Sequence, residues 1–360
     1  MTGVLSATAD PLVWSGPDTA VDEALVCRRV EPVTHDVTSF VLASPTGRDF
    51  AFEAGQYVTV TAMVGGRHVE RCYTISSPST CTDEVTITVK RVPGGPMSNW
   101  LHDHLAVGDR LQVTGPLGRF TAAAAVHDAP KYLFLSAGSG ITPVMSITRT
   151  LLSLGDAGLD AVFVHSARSP RDIVFRGELD GVTHPGLRVG VVCEDDAPDE
   201  RWSGPRGRLS LELLRRLAPD LADREVFTCG PAPYMAAVRE MLTQAGVDPS
   251  RCHEESFELG SAAPTPPPVV PGGAAYSVQF RRSGRSVDCG PGTSILQAAL
   301  AAGIPLPSSC GEGVCGTCKT SLVSGQVDMQ HAGGIRPREI AAGKVLLCCS
   351  TPLDDVVLDA

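Results

Sequence analysis

The chain has 360 residues, of which 43% are hydrophobic and 19% charged, with a formal net charge of −10. That length accommodates two or three domains, each with its own core. The acidic balance argues against a nucleic-acid partner, which demands clustered Lys and Arg, and more weakly against an anionic membrane surface. The start, Met1 to Asp10, has no basic region followed by an apolar core, and no apolar run reaches the length of a membrane span. A cytoplasmic protein is expected.

Residues 1–22 read as a tail without a discernible role. From 23 to 126 the chain reads as strands and turns: Gln56–Val60 and Val85–Val89 alternate with period two, and Pro45-Thr-Gly47, Gly65-Gly66 and Pro93-Gly94-Gly95 separate the runs. One short helix is expected from Ser98. This pattern predicts an antiparallel β-barrel. From 130 to 259 strands and helices alternate: strands at 132–135, 161–164, 189–193 and 225–228, and helices at 142–154, 211–217 and about 233–245. Ser210 is a candidate N-cap, and Gly155 and Gly246 stop two of the helices. The expectation is an α/β domain with a doubly wound parallel sheet.

Residues 260–275, GSAAPTPPPVVPGGAA, contain five prolines and no charge, so they cannot build a core. As an extended tether of about 3.1 Å per residue they would span on the order of 50 Å. Residues 276–360 form the last unit. A hairpin at 276–288 turns at Ser283-Gly284, and a helix follows with capping-box spacing between Ser294 and Gln297.

That unit holds Cys310-Gly-Glu-Gly-Val-Cys315-Gly-Thr-Cys318, answered later by Cys348-Cys349. The spacing C-x4-C-x2-C…C fits a plant-type [2Fe–2S] site, and Gly311, Gly313 and Gly316 suit a loop that brings backbone N–H groups close to sulfur. A structural zinc knuckle is the rival, although zinc sites usually repeat a short C-x-x-C and here three ligands crowd one loop. The other cysteines, Cys27, Cys81 and Cys193 among them, are expected to fill cores.

Three further motifs carry chemistry. Arg71-Cys-Tyr73-Thr74-Ile-Ser76 closes a strand. Gly94-Gly95-Pro96-Met97-Ser98 lies directly before a helix start, where free N–H groups bind phosphate. Ser136-Ala-Gly138-Ser-Gly140-Ile-Thr142-Pro143 joins the first strand of the α/β domain to its helix, where a backbone can approach a dinucleotide.

Together these motifs resemble the ferredoxin–NADP reductase superfamily. The resemblance implies that Arg71 pairs with a flavin phosphate, Tyr73 lies against the isoalloxazine, Thr74 hydrogen-bonds near the hydride-accepting nitrogen, and Ser76 completes the motif. Gly95, Pro96, Met97 and Ser98 would hold a diphosphate, which favours FAD over FMN. Gly138, Gly140, Thr142 and Pro143 would form the nicotinamide-nucleotide loop. Cys229-Gly230-Pro231 would lie beside the nicotinamide, with the Cys229 sulfur near the reacting carbon, and Glu255-Ser256-Phe257, Phe257 among them, would help cover the flavin face. Cys310, Cys315, Cys318 and Cys348 would bind the cluster; in similar domains the fourth ligand stands four residues before a proline, here Pro352, which selects Cys348 over Cys349.

Arg168, after the second strand of the α/β domain, is placed to grip a 2′-phosphate and leaves NADPH as an alternative to NADH. NADH is the expected donor because the chain most resembles NADH-using reductases of degradative oxygenases. The domain order is similar to reductase components of Rieske-type oxygenases, including those that demethylate quaternary amines such as glycine betaine. It is also similar to the reductases of phenylacetyl-CoA oxygenase and of hybrid-cluster proteins.

The implied activity is an NAD(P)H:acceptor oxidoreductase with the order nicotinamide, FAD, cluster, and a terminal oxygenase as external protein partner. Another metalloprotein, such as a hybrid-cluster protein or diiron oxygenase, is the alternative acceptor. A non-enzymatic electron carrier and a zinc-stabilised binding protein are the readings from other classes.

Overall fold

The computed structural model describes residues 21–122, 131–155, 158–255, 257, 275–304, 306, 311, 313, 316, 318–331, 334–335 and 337–360. Most of the expected tail and of the Pro-rich linker, together with Cys310 and Cys315, lie outside these residues.

The first unit contains β1 (Val21–Pro32), β2 (Val37–Ala43), β3 (Tyr57–Val64), β4 (Arg67–Thr74), β5 (Glu84–Lys90), α1 (Pro96–His104) and β6 (Arg110–Leu117). Val21 and Asp22, expected in the tail, therefore belong to β1, where they pair with Gly115 and Thr114. The antiparallel order is β4-β3-β6-β1-β2-β5. A bridge between Ile75 and Ile87 brings the continuation of β4 back to β5 and closes the barrel. Closure removes the exposed sheet edges. Alternation sends Phe40, Leu42, Val58, Val60, Ile75, Val85, Ile87 and Leu111 into the barrel core. Helix α1 begins at Pro96 rather than Ser98, because proline suits the first helical position, where no N–H is needed.

The second unit contains β7 (Tyr132–Ala137), α2 (Ile141–Leu154), β8 (Ala161–Ala167), α3 (Arg176–Asp180), β9 (Leu187–Cys193), α4 (Leu211–Leu217), β10 (Glu225–Cys229), α5 (Ala232–Ala245) and β11 (Cys252–Glu255). All neighbours in the order β11-β10-β7-β8-β9 are parallel. The order reverses between β7 and β10, and such switch points form ligand crevices at the carboxyl ends of the strands. Ser210 caps α4 by accepting from Leu213 N, and Gly155 and Gly246 end α2 and α5 in the left-handed conformation.

These two units share a core. Val37, Ala54 and Phe120 from the barrel side join Phe134, Phe163, Phe227 and the buried face of α2, and Phe120 meets Phe227 edge-on at 5.4 Å. Polar side chains of α2 pin the seam: Ser146 Oγ donates to Ser77 O at 2.7 Å, Arg149 Nη1 to Ser76 O at 2.5 Å, and Ser79 N to Thr150 Oγ1 at 2.9 Å. The segment that follows Thr74 is thereby held against the α/β unit.

The last unit contains β12 (Tyr276–Phe280), β13 (Arg285–Cys289), α6 (Ile295–Ala301), β14 (Lys319–Ser324), β15 (Val327–Met329), α7 (Pro337–Ala341), β16 (Lys344–Leu346), β17 (Ser350–Pro352) and β18 (Val356–Leu358). Its main sheet runs β13-β12-β18-β14-β16, with β12 and β18 parallel and the other pairs antiparallel. Helix α6, started by a complete capping box between Ser294 and Gln297, lays Ile295, Leu296 and Ala299 into a core shared with Val278, Phe280, Leu346 and Leu358. This is a β-grasp arrangement.

Arg224 is the largest fully buried side chain among the described residues, at 1% exposure. It pairs with Asp220 and Asp160 and donates to Tyr132 O, tying the base of the parallel sheet together. The hydrogen bonds from Arg224 are the main reason the Asp220 carboxyl is pulled down to about 2. Replacing Arg224 by Ala removes its charge-assisted bonds to the part-exposed Asp220 and Asp160 and should cost about 3 kcal/mol of stability in denaturant unfolding. A loss within experimental error would contradict a buried ionic anchor.

Candidate functional site: a seam between barrel and parallel sheet, and a separate sulfur site

Strand β4 ends where the barrel closes, so Arg71, Tyr73 and Thr74 stand at its mouth. Arg71 is partly exposed and donates to Glu70 O. Tyr73 packs against the barrel core, and burial raises its phenol pKa. Thr74 is buried. Ser76 corrects an expectation: it is fully buried, and its hydroxyl is engaged with Thr86 O and Thr88 Oγ1, so it ties strands together and is not free for a ligand.

Helix α1 packs on β3 and on β4, the strand that carries that motif. Gly95 N–H is used by Val92 O, and Asn99 N–H is the first to reach back, to Gly95 O. Met97 and Ser98 lie before it in the first turn, where N–H groups have no intrahelical acceptor. Pro96 has no N–H to offer, and the Met97 side chain lies in the barrel core at 1% exposure, so Met97 can serve a ligand only through its backbone. Ser98 Oγ accepts from Val92 N and donates to Gly95 O, fixing the loop. His102 is half-buried between Val89 O and Thr38.

Across the seam, β7 leads into Gly138 and Gly140. A side chain at Gly140 would run into the carbonyl of Cys229 and the Cα of Gly230, so only glycine lets this turn close onto the end of β10. Thr142 and Pro143 are buried in the first turn of α2, with Thr142 Oγ1 donating to Ser139 O. Gly230 is buried under the Tyr234 ring, and Pro231 leads into α5.

Register puts Glu255, Cys229, Ser136 and His165 side by side on adjacent strands at the carboxyl edge of the sheet. Cys229 is fully buried, and burial, with a contribution from Glu255, pushes its thiol well up. His165 donates or accepts through Nδ1 with Ser136 Oγ at 2.9 Å, and burial pulls its imidazole down to about 3.

Sequence patterns did not expose Glu255 as the residue that meets Thr74. Part of Glu255 is accessible, but its Oε2 is sealed, and neither that oxygen nor Thr74 Oγ1 completes a hydrogen bond. The two groups face each other closely enough for Thr74 to favour the carboxylate, yet burial dominates and pushes Glu255 up to about 8. The Tyr234 hydroxyl and Ser166 Oγ make a second sealed pair without completed bonds. Unsatisfied buried polar atoms call for partners, and a bound ligand is one source of them. A flavin ring edge and a nicotinamide carboxamide both have donors and acceptors for such atoms. Phe257, expected to cover the flavin, is 38% exposed just beyond β11. Arg168 is held by Asp172 at 2.6 Å.

The sulfur site stands on the last unit. Cys318 is 4% exposed, and Cys348 N donates to its Sγ at 3.4 Å, while Gly313 N donates to Cys348 Sγ at 3.2 Å. Gly313 adopts φ 71°, which turns its N–H toward the sulfur. N–H bonds to sulfur favour thiolates and suit iron–sulfur ligation. Cys349 Sγ donates to Leu346 O at 3.7 Å. Cys81 is exposed beside Asp83 and is no core filler, whereas Cys27 and Cys193 are fully buried.

Family comparisons agree with this division. The oxidoreductase FAD-binding domain matches residues 25–122, the oxidoreductase NAD-binding domain 134–240, and the 2Fe-2S iron-sulfur cluster binding domain 278–353. A glycine betaine monooxygenase reductase subunit of Pseudomonas aeruginosa is 42% identical, over 92% of this chain and 94% of that one. A stachydrine N-demethylase reductase subunit of Rhizobium meliloti is 40% identical, over 94% of this chain and 96% of that one. Among solved structures, a phthalate dioxygenase reductase superposes with a TM-score of 0.57 at 27% identity, covering 94% of this chain and 98% of that one. No helix among the described residues is long and apolar enough to cross a membrane.

Glu255 yields a stability test. Its folded value lies above its ordinary 4.5, so the unfolded chain gives up the proton first, and the native state loses stability as pH rises from about 4.5 to about 8. Glu255→Gln removes that loss. The melting temperature of the variant relative to wild type should climb by several degrees between pH 5 and pH 8; a constant difference would show that the carboxyl is not held protonated.

Proposed function

We propose that this chain, which belongs to the family of FAD-, NAD- and [2Fe–2S]-binding oxidoreductases that includes the glycine betaine monooxygenase reductase subunits, supplies single electrons from NADH to a Rieske-type terminal oxygenase. The observation that carries the reading is the seam: Thr74 of the barrel faces Glu255 of the parallel sheet, while the Gly140 turn closes onto Cys229. A ring system bound at the mouth of the barrel and a nicotinamide bound at the edge of the sheet would there meet face to face.

When bound, FAD supplies the change from paired to single electrons, and a [2Fe–2S] centre supplies one-electron carriage. The protein positions them. Arg71 and the first-turn N–H groups of Met97 and Ser98 hold flavin phosphates, Tyr73 lies against the ring, and Thr74 offers its hydroxyl to the ring edge. Gly138, Gly140 and Thr142 shape the dinucleotide path, and Cys229 with Gly230 and Pro231 lines the nicotinamide. Phe257 shields the flavin from water. Cys310, Cys315, Cys318 and Cys348 hold iron.

Further features favour the specific donor, partner and compartment. Arg168, the guanidinium placed to take a 2′-phosphate, is already tied to a carboxylate, which favours NADH. Two of the relatives are named as reductase subunits of a glycine betaine monooxygenase and a stachydrine N-demethylase, which favours an oxygenase that demethylates a quaternary amine as the partner. A reducing cytoplasm is the compartment we assign, because cysteines with cluster spacing in a chain of this size suit one. The domains we assign are 23–126 for flavin, 130–259 for nicotinamide and 276–360 for the cluster, after a tail at 1–22 and joined by the 260–275 linker, with β1 extending the first to Val21.

The test separates the two sulfurs. Cys348→Ser should retain flavin absorption and NADH-driven ferricyanide reduction but lose at least about tenfold in one-electron reduction of cytochrome c, whereas Cys349→Ser should keep both. A colourless wild-type protein, or equal cytochrome c rates in the two variants, would refute the proposal.

A further inference from the structure

Arg168 and Ser169 follow β8, the second strand of the parallel sheet, in the corner where doubly wound folds receive an adenosine ribose. They are residue types that grip phosphate. Both are nevertheless engaged by one carboxylate. Arg168 Nη2 donates to Asp172 Oδ1 at 2.6 Å, and Ser169 Oγ donates to Asp172 Oδ2 at 2.5 Å. The Asp172 side chain is only 12% exposed, against 65% for Arg168. Burial works against ionisation of Asp172, but the bonds from Ser169 and Arg168 outweigh it and hold the carboxyl below its ordinary range.

Neighbouring backbone draws more negative charge to the same corner. Glu194 N donates to Ala167 O at 3.0 Å and Asp195 N to Arg168 O at 2.8 Å, extending the pairing of β8 and β9. The backbone of two acidic residues thereby adjoins the turn, with the Glu194 carboxylate itself paired to Arg208 at 3.7 Å. From the barrel, Asp36 Oδ2 comes within 3.9 Å of Arg168 Nη2.

We propose that Asp172 is the specificity-determining residue for the dinucleotide: it occupies the guanidinium and hydroxyl that would bind a 2′-phosphate, and so restricts the site to NADH. A 2′-phosphate would have to break two charge-assisted bonds and then sit beside the Asp172 carboxylate, with Asp36 close by. A free 2′-hydroxyl makes no such demand. This inference rests on the reading of the second unit as the dinucleotide site.

Asp172 also supports its own turn, since Asp172 N donates to Ser169 O at 3.0 Å. The experiment must therefore distinguish selectivity from folding. Isothermal titration of the full chain with 5′-AMP and 2′,5′-ADP reads the adenosine corner without any redox chemistry. Wild type should bind 5′-AMP and discriminate against 2′,5′-ADP. Asp172→Asn should tighten 2′,5′-ADP by about tenfold or more while 5′-AMP changes by less than about threefold. Adding Arg168→Ala to that variant should abolish the gain. An unchanged ratio of the two affinities in Asp172→Asn, or loss of both probes together, overturns the role of Asp172. A wild-type chain that binds 5′-AMP and 2′,5′-ADP equally overturns it as well. Absence of 5′-AMP binding in wild type would overturn the dinucleotide reading along with it.

Discussion

Two folds of unrelated construction must present their functional edges to each other, and one contact surface makes that happen. Helix α2 is the shared element. Its apolar side completes the core beneath the parallel sheet, while Ser146, Arg149 and Thr150 hydrogen-bond the segment 76–79 that continues β4. Because β4 carries Arg71, Tyr73 and Thr74, fixing its continuation fixes the mouth of the barrel relative to the sheet. The juxtaposition of Thr74 and Glu255 follows from that docking; neither strand alone could produce it. Direct hydrogen bonds to buried backbone carbonyls give such a seam directional definition that apolar packing lacks.

The chemistry-bearing loops were largely legible in the sequence because backbone constraints create them. Gly140 must be glycine where two backbones touch, the glycines at 311, 313 and 316 adopt positive φ around the sulfur site, and Pro96 opens a helix whose first turn has free N–H groups. Periodicity located most strands and helices within a few residues. The orientation of individual side chains was not legible. Ser76 and Met97 belong to motifs that point to a ligand, yet alternation along the closed barrel turns one into an interstrand tie and the other into core. Glu255 was legible only as part of the Glu255-Ser256-Phe257 segment that the family resemblance sets over the flavin; the register of β11 against β10 is what reveals that it meets Cys229.

Electrostatics divide the α/β unit into two regimes. At the base, Arg224 is buried but fully surrounded by carboxylates and carbonyls, a purely structural arrangement. At the carboxyl edge, Glu255, Cys229 and His165 are all shifted toward their neutral forms by burial. A crevice without fixed side-chain charge lets a bound ring system experience oriented dipoles and excluded water, which is where such groups act most strongly. Farther along the edge stands a charged pair, Arg168 with Asp172 at 2.6 Å.

The way apolar cores are distributed also sets how the molecule comes apart. Phe120 packed against Phe227 makes the barrel and the parallel sheet a single cooperative block, whereas Phe280, Ile295 and Leu358 close a core of their own in the last unit. Heating should therefore produce two calorimetric transitions rather than three. Evolution could exchange or relocate the terminal module as a self-sufficient cartridge without disturbing the rest, a freedom denied to the other two units.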